Sequence, residues 1–133
     1  MKHLILPLCL LASPVIAAEP DMLIGSELFT EFCAPCHGGS AVGDGPMAKV
    51  LSVPPTDLTQ LSASNDGVFP VFRVVRQIDG RDPMLAHGGD MPLFGEVFDF
   101  PDAAIAAETG QPIITAQSIV DIVGWLMSVQ KED

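Results

Sequence analysis

CAPCH, at residues 33–37, places two thiols three positions apart and an imidazole directly after the second thiol. The residues before it, 22–32, carry apolar side chains at helical spacing, which predicts a helix with Asp21 as its N-cap. Pro35 should end this helix at or before Ala34, because the residue before a proline disfavours helical angles. The thiols and the imidazole are therefore expected together at the end of a helix.

Two further segments have the amphipathic periodicity of α-helices. The segment at 70–78 begins with Pro70, which suits a first helical position, and is followed by Gly80, which favours a left-handed cap. The segment at 116–130 is the third predicted helix. In both, apolar side chains recur at i, i+3, i+4 and i+7: Val71, Val74, Val75 and Ile78, then Ile119, Ile122, Val123 and Leu126.

Strand signals are weak, because alternating runs are few and glycine and proline are frequent. Short helical turns are predicted near 47–51 and 102–108. The predicted fold is therefore all-α, with three main helices joined by long irregular connections at 38–45, 52–69 and 79–117. Loops of that length are unusual in a compact domain. They suit a chain that wraps around a large apolar group in its core.

The C-x-x-C-H pattern is typical of covalent haem attachment. Cys33 and Cys36 would add to the two vinyl groups as thioethers, and His37 would give the iron its proximal nitrogen. Two other kinds of site use similar residues. A thioredoxin-like pair normally opens a helix after a strand, and a zinc site needs four ligands, which both thiols, His37 and His87 would supply by number.

In an electron carrier, a second axial ligand occupies the remaining coordination position of the haem iron. A methionine thioether in this position raises the reduction potential. Met91 is the preferred ligand, because the glycines at 88–89 and Pro92 form a turn that can hold its sulfur in place. Met84 and His87 are the alternatives. Three other methionines are weaker candidates, being on predicted helices or close to the histidine in sequence: Met22, Met127 and Met47.

Residues 1–18 have the three parts of a secretory signal: a basic start at Lys2, an apolar run at 4–11 and small residues up to the end. The apolar run is shorter than the about 20 residues that span a bilayer. We expect cleavage near residue 18, export to the periplasm, and no stable membrane insertion afterwards. Residues 19–133 would then form one domain.

The chain is strongly acidic, with 17 acidic and 6 basic side chains and a formal net charge of −11. Removal of Lys2 with the signal would make the charge −12. This sign argues against a nucleic-acid partner, which needs a basic footprint. It favours a redox partner with a basic docking face, since complementary fields speed encounter. The alternative is that acidity only keeps the protein soluble.

The sequence resembles the class I, mono-haem bacterial cytochromes c. The matching elements span nearly all of residues 19–133: Gly25, Phe29, CAPCHG at 33–38, GDGP at 43–46, PTDLT at 55–59, MP at 91–92 and WL at 125–126. The resemblance implies a cytochrome c-like fold around one haem c. It also implies that the first and last helices cross at Gly25, with Phe29 and Trp125 filling the contact.

The resemblance further implies that a carbonyl from a proline loop, at Pro46 or Pro55, orients His37. Three arginines are available to pair with a haem carboxylate or simply to face solvent: Arg73, Arg76 and Arg81. The connection from residue 94 to 117 is longer than in compact members of the family. Three phenylalanines in it either shield the haem edge or form a docking patch: Phe94, Phe98 and Phe100.

The expected function is electron transfer in the periplasm, with iron cycling between ferrous and ferric states, by a protein that is not an enzyme. Its ligands would be Cys33, Cys36, His37 and Met91. A dedicated cytochrome subunit of a larger periplasmic redox enzyme is one alternative, and a haem-based ligand sensor is another.

Overall fold

The computed structural model describes residues 17–81, 91–98 and 101–131. Its α-helices are α1 (Met22–Leu28), α2 (Ala34–His37), α3 (Val71–Asp79) and α4 (Gln117–Ser128). A π-helical turn (Phe29–Cys33) joins α1 to α2, and 3-10 turns occupy Pro46–Lys49, Leu58–Gln60 and Ala63–Asn65. Two strands, β1 (Ala103–Ala106) and β2 (Pro112–Thr115), complete the described elements.

The fold is small and mixed α/β, so the predicted all-α, cytochrome c-like fold of three main helices is wrong. The segment 102–108, predicted as a short helical turn, contains the strand β1. It pairs with β2 in an antiparallel register that sets Ala104 opposite Ile114. Along β2, Ile113 and Thr115 are buried and their neighbours are exposed. Four residues give too few alternations to be recognised in sequence. Pairing between the strands stabilises what neither segment would form alone.

The first and last helices, α1 and α4, cross at Gly25. A Cβ atom at this position would lie 2.1 Å from the backbone oxygen of Asp121, so only glycine permits the approach. Phe29, 1% exposed, has its ring centroid 4.4 Å from that of Trp125. The buried Asp121 carboxylate accepts the Asp21 N–H at 2.8 Å. The expected contact among Gly25, Phe29 and Trp125 is confirmed.

Helical turns continue through the CAPCH sequence. α1 ends at Leu28, within the predicted limit, but the π turn follows it and closes with the Ala34 N–H donating to the Phe29 oxygen. Pro35 then lies in the first turn of α2, where its missing N–H leaves no helical hydrogen bond unmade. The thiols and the imidazole are consequently on a helical turn, because the extra residue of the π turn accommodates the proline.

The two amphipathic stripes are buried as predicted. Pro70 is the N-cap of α3 and not its first helical residue, and Gly80 forms the left-handed cap with φ of 78°. α4 is slightly shorter than the predicted 116–130. Its four stripe residues are at most 3% exposed: Ile119, Ile122, Val123 and Leu126.

The predicted signal lies almost wholly outside the described residues, which begin at Ala17. Ala18 is tied to the sheet, since its N–H donates to the Ala104 oxygen at 2.7 Å. Within the three described ranges, none of the helices combines the length and the hydrophobicity that a membrane crossing requires.

Gly25→Ala is expected to lower the free energy of unfolding by about 1–3 kcal/mol, because its methyl group would overlap the α4 backbone. Urea unfolding followed by circular dichroism measures this. The matched control is Gly39→Ala, where a Cβ atom meets nothing within 4 Å. Equal midpoints for the two variants would show that the helix crossing has room to relax.

Candidate functional site

A cavity of about 570 Å³ opens between the CAPCH turn, residues 51–64, α3 and residues 91–94. This is within the roughly 300–1,000 Å³ range of cofactor and ligand pockets. Cys33, Cys36, His37 and Met91 all line it. Most of the remaining lining is apolar and includes Phe29, Leu58, Leu61, Val74, Ile78 and Leu126.

The half-buried His37 imidazole is held by one hydrogen bond. Its Nδ1 lies 3.0 Å from the Thr56 carbonyl oxygen, which can only accept, so Nδ1 donates. The proline loop at Pro55 therefore supplies the orienting carbonyl, through the residue after the proline, and Pro46 does not. Burial lowers the pKa of His37, and the Thr56 bond only partly opposes this. The neutral ring keeps its Nε2 lone pair for a metal.

The Thr56 carbonyl is fixed by the turn that follows it. The Asp57 carboxylate caps that turn, accepting from the Thr59 N–H at 2.9 Å and from the Thr59 hydroxyl at 2.6 Å. The next residue, Leu58, donates its N–H to the Ala41 oxygen at 2.8 Å. The Thr59 hydrogen bonds hold the pKa of Asp57 below its usual range. The turn thus joins the acceptor of His37 to the loop that leaves α2.

That loop returns closely along the CAPCH backbone. The Gly43 N–H donates to the His37 oxygen at 2.7 Å, and the Gly45 N–H donates to the Cys36 oxygen at 3.1 Å. A Cβ atom on Gly45 would lie 2.5 Å from the Pro35 oxygen. Gly45 therefore lets the loop pack against α2 without a side chain between the two backbones.

Both thiols are free and half-buried. Burial, with a smaller contribution from Cys36, raises the pKa of the Cys33 thiol to about 12. A dithiol redox pair needs the opposite shift and a position at the start of a helix after a strand. Here Cys33 ends a π turn that continues from α1, so the pair follows a helix and not a strand. These features disfavour a thioredoxin-like site.

Zinc has weak support among the residues that the structure describes. No three histidine, cysteine, aspartate or glutamate side chains in these ranges are grouped so that they could hold a metal ion. His87, the fourth ligand of that hypothesis, lies outside the described residues.

Among the methionines that the structure describes, Met91 is the one that lines the cavity. The Gln77 side-chain amide on α3 approaches its sulfur, with Nε2 3.6 Å from Sδ. The three weaker candidates are each 40–47% exposed and line no part of the cavity: Met22, Met47 and Met127. The alternatives Met84 and His87 lie outside the described residues. Met91 as iron ligand therefore stays a prediction, and it is supported by the place of this residue in the cavity wall.

The structure separates the three arginines. Arg73 lines the cavity. Arg76 lies over the Phe72 ring, 5.2 Å from its centroid, and donates to the Arg81 backbone oxygen. Arg81 pairs with Asp79 and donates to the Ile114 oxygen at 2.8 Å. Arg73 is thus the candidate for a carboxylate of a bound cofactor.

Two of the three phenylalanines after Met91 pack inward. Phe94 and Phe98 cluster with Phe32, and the three ring centroids lie 5.1–6.1 Å apart. Phe98 is 5% exposed, and Phe94 lines the cavity. Shielding of the cavity is therefore favoured over a docking patch for these two. Phe100 lies outside the described residues.

Comparison with known proteins adds no family. No protein-family model, curated protein or solved structure matches the chain. The functional inference therefore depends on the residues of the cavity and on their motif.

Thr59→Val is expected to raise the pKa of Asp57 towards its ordinary value of 3.8, because it removes the hydroxyl donor. A carboxyl whose pKa is lowered by folding stabilises the fold above its unfolded pKa and loses this effect as the pH falls through the folded pKa. The free energy of unfolding of the variant should therefore fall less steeply as the pH decreases below about 4. Carboxyl-carbon NMR gives the pKa.

Thr30→Val is the control for this titration, since the Thr30 hydroxyl donates to the Ser26 oxygen at the surface. It should leave the pKa of Asp57 unchanged. An Asp57 pKa in Thr59→Val equal to that of the parent protein would contradict the assigned cap.

Proposed function

We propose that this protein is a periplasmic electron carrier with one covalently bound haem c. Cys33 and Cys36 anchor the haem, His37 is the proximal ligand and Met91 the distal ligand. The observation that carries the proposal is that all four side chains line one apolar cavity, although Met91 is far from the other three in sequence.

The cavity suits the group that the motif predicts. Its volume of about 570 Å³ fits a large ligand, and its wall is mainly apolar. His37 already donates through Nδ1, which is the arrangement that fixes a metal-binding imidazole. The raised pKa keeps Cys33 a thiol at neutral pH, which disfavours a role as a free nucleophile.

When bound, haem c supplies a one-electron couple between ferrous and ferric iron. The residues of this chain hold it and set its surroundings. Cys33, at the end of the π turn, and Cys36, in α2, would anchor it, and the Thr56 carbonyl orients the His37 ring. The apolar wall excludes water, which disfavours the more highly charged ferric state and raises the reduction potential.

The methionine in the cavity favours a carrier over a ligand sensor, which needs a vacant or labile sixth position. The acidic charge favours a partner with a basic docking face. No step of this proposal transforms a substrate, so the protein acts as a donor and acceptor between partners and not as an enzyme.

Export of the full chain is expected to yield a polypeptide of residues 19–133 whose mass includes one haem. Cys36→Ser should lose most of this product, because one of the two thioether anchors is gone. Intact-mass spectrometry and a pyridine haemochrome assay measure covalency and haem type. The control is Cys9→Ser, which alters a cysteine of the predicted signal and should leave attachment intact. The bare chain mass in the parent protein would refute the proposal.

Met91→Ala is expected to open the sixth iron position. The ferric variant should bind imidazole or cyanide at least about tenfold more tightly than the parent, because no internal ligand competes. The charge-transfer absorption of the methionine–ferric iron bond should disappear. Met47→Ala is the matched control, since Met47 is exposed and away from the cavity. An unchanged spectrum in Met91→Ala would transfer the ligand role to another residue.

A further inference from the structure

Gln77 is a polar residue of α3 that lines the cavity together with Arg73 and two apolar residues. Val74, one turn before it, and Ile78, directly after it, are both buried and line the cavity. Gln77 is half-buried and lines the same cavity. A side chain that only packed here would be expected to be apolar, because burying an amide without a partner costs free energy.

The partner that the structure gives Gln77 is a sulfur atom. Its side-chain Nε2 lies 3.6 Å from Met91 Sδ, within the longer distance typical of donors to sulfur. Among the described residues, the Gln77 side chain makes one hydrogen bond, and its acceptor is this sulfur. A thioether is a weak acceptor with two lone pairs. A donor on one lone pair leaves the other free and fixes its direction.

We propose that Gln77 is a positioning residue that holds the Met91 thioether in place and draws electron density from it. This inference depends on the proposed function, in which Met91 closes the iron. The hydrogen bond reduces rotation of the methionine side chain, so one sulfur lone pair faces the cavity. By weakening donation from the sulfur, it favours the ferrous state, which needs less electron density than the ferric state.

The test compares Gln77→Leu with the parent protein as haem-loaded, exported proteins. Leucine fills similar space but cannot donate. At a fixed reference potential, the ferrous-to-ferric ratio should fall about twofold, the lower end of the effect of one hydrogen bond, because sulfur is a weak acceptor. The charge-transfer band of the methionine–ferric iron bond should shift, because the sulfur becomes a stronger donor. A loss of packing alone would not shift both in this way.

Gln60→Leu is the matched control. Gln60 lies on the Leu58–Gln60 turn and does not line the cavity. It should keep the parent ratio and band. Gln77→Asn is the second variant: its amide is one methylene shorter, so it should behave like Gln77→Leu while retaining polarity. It serves in place of Gln77→Leu if the leucine variant does not accumulate.

A measurement on the unaltered protein is independent of any variant's folding. In the reduced state, the side-chain amide protons of Gln77 should exchange with solvent at least about tenfold more slowly than those of Gln60, because a hydrogen bond protects them. Equal exchange, or a Gln77→Leu protein with the parent's ratio and band, would overturn the role of Gln77. Haem content is measured first. If haem is present and the Gln77 variants keep the parent's ratio and band, this inference alone is refuted. If haem is absent, the proposed function is refuted and this inference with it.

Discussion

The hydrogen bond between His37 and the Thr56 carbonyl is the constraint around which this site is organised. It joins a helical turn near the start of the domain to a loop nineteen positions later in sequence. That loop can lie this close because Gly43 has no side chain: a Cβ atom there would overlap the Pro55 backbone oxygen. The capped turn at Asp57 then stops the carbonyl from moving. Ring orientation is thus a product of backbone packing, since the Thr56 acceptor is a main-chain carbonyl.

The rest of the cavity follows from how apolar surface is distributed. The CAPCH turn is polar and reactive, but α3, α4 and the 3-10 turns present buried aliphatic side chains around it. This combination removes water from around both residues. It lowers the pKa of His37 and raises the pKa of Cys33, and each shift favours the neutral form. A neutral imidazole keeps a lone pair for a metal, and a neutral Cys33 thiol is a poor nucleophile. A dithiol that cycles through a disulfide would need the opposite environment.

The chain has many more acidic than basic side chains, so the positions of its three arginines matter for the site. Two of the three arginines are committed to local structure: Arg76 to the Phe72 ring and Arg81 to Asp79. Arg73 alone of the three lines the cavity. The net acidic charge and the one arginine at the cavity support the proposed role, in which the protein would attract basic partners and Arg73 would neutralise a cofactor carboxylate.

The sequence by itself determined the parts whose signals are local, namely the two helix stripes and the left-handed cap at Gly80. Its CAPCH motif predicted the chemistry of the site. It did not determine the β1–β2 pair, because four-residue strands carry almost no periodicity and form only through pairing. The π turn was also missed, since an extra residue in a helix leaves no mark in the pattern. The Thr56 acceptor and the Gln77 donor were decided by tertiary structure alone, because hydrogen bonds across nineteen and fourteen positions depend on where the backbone folds back.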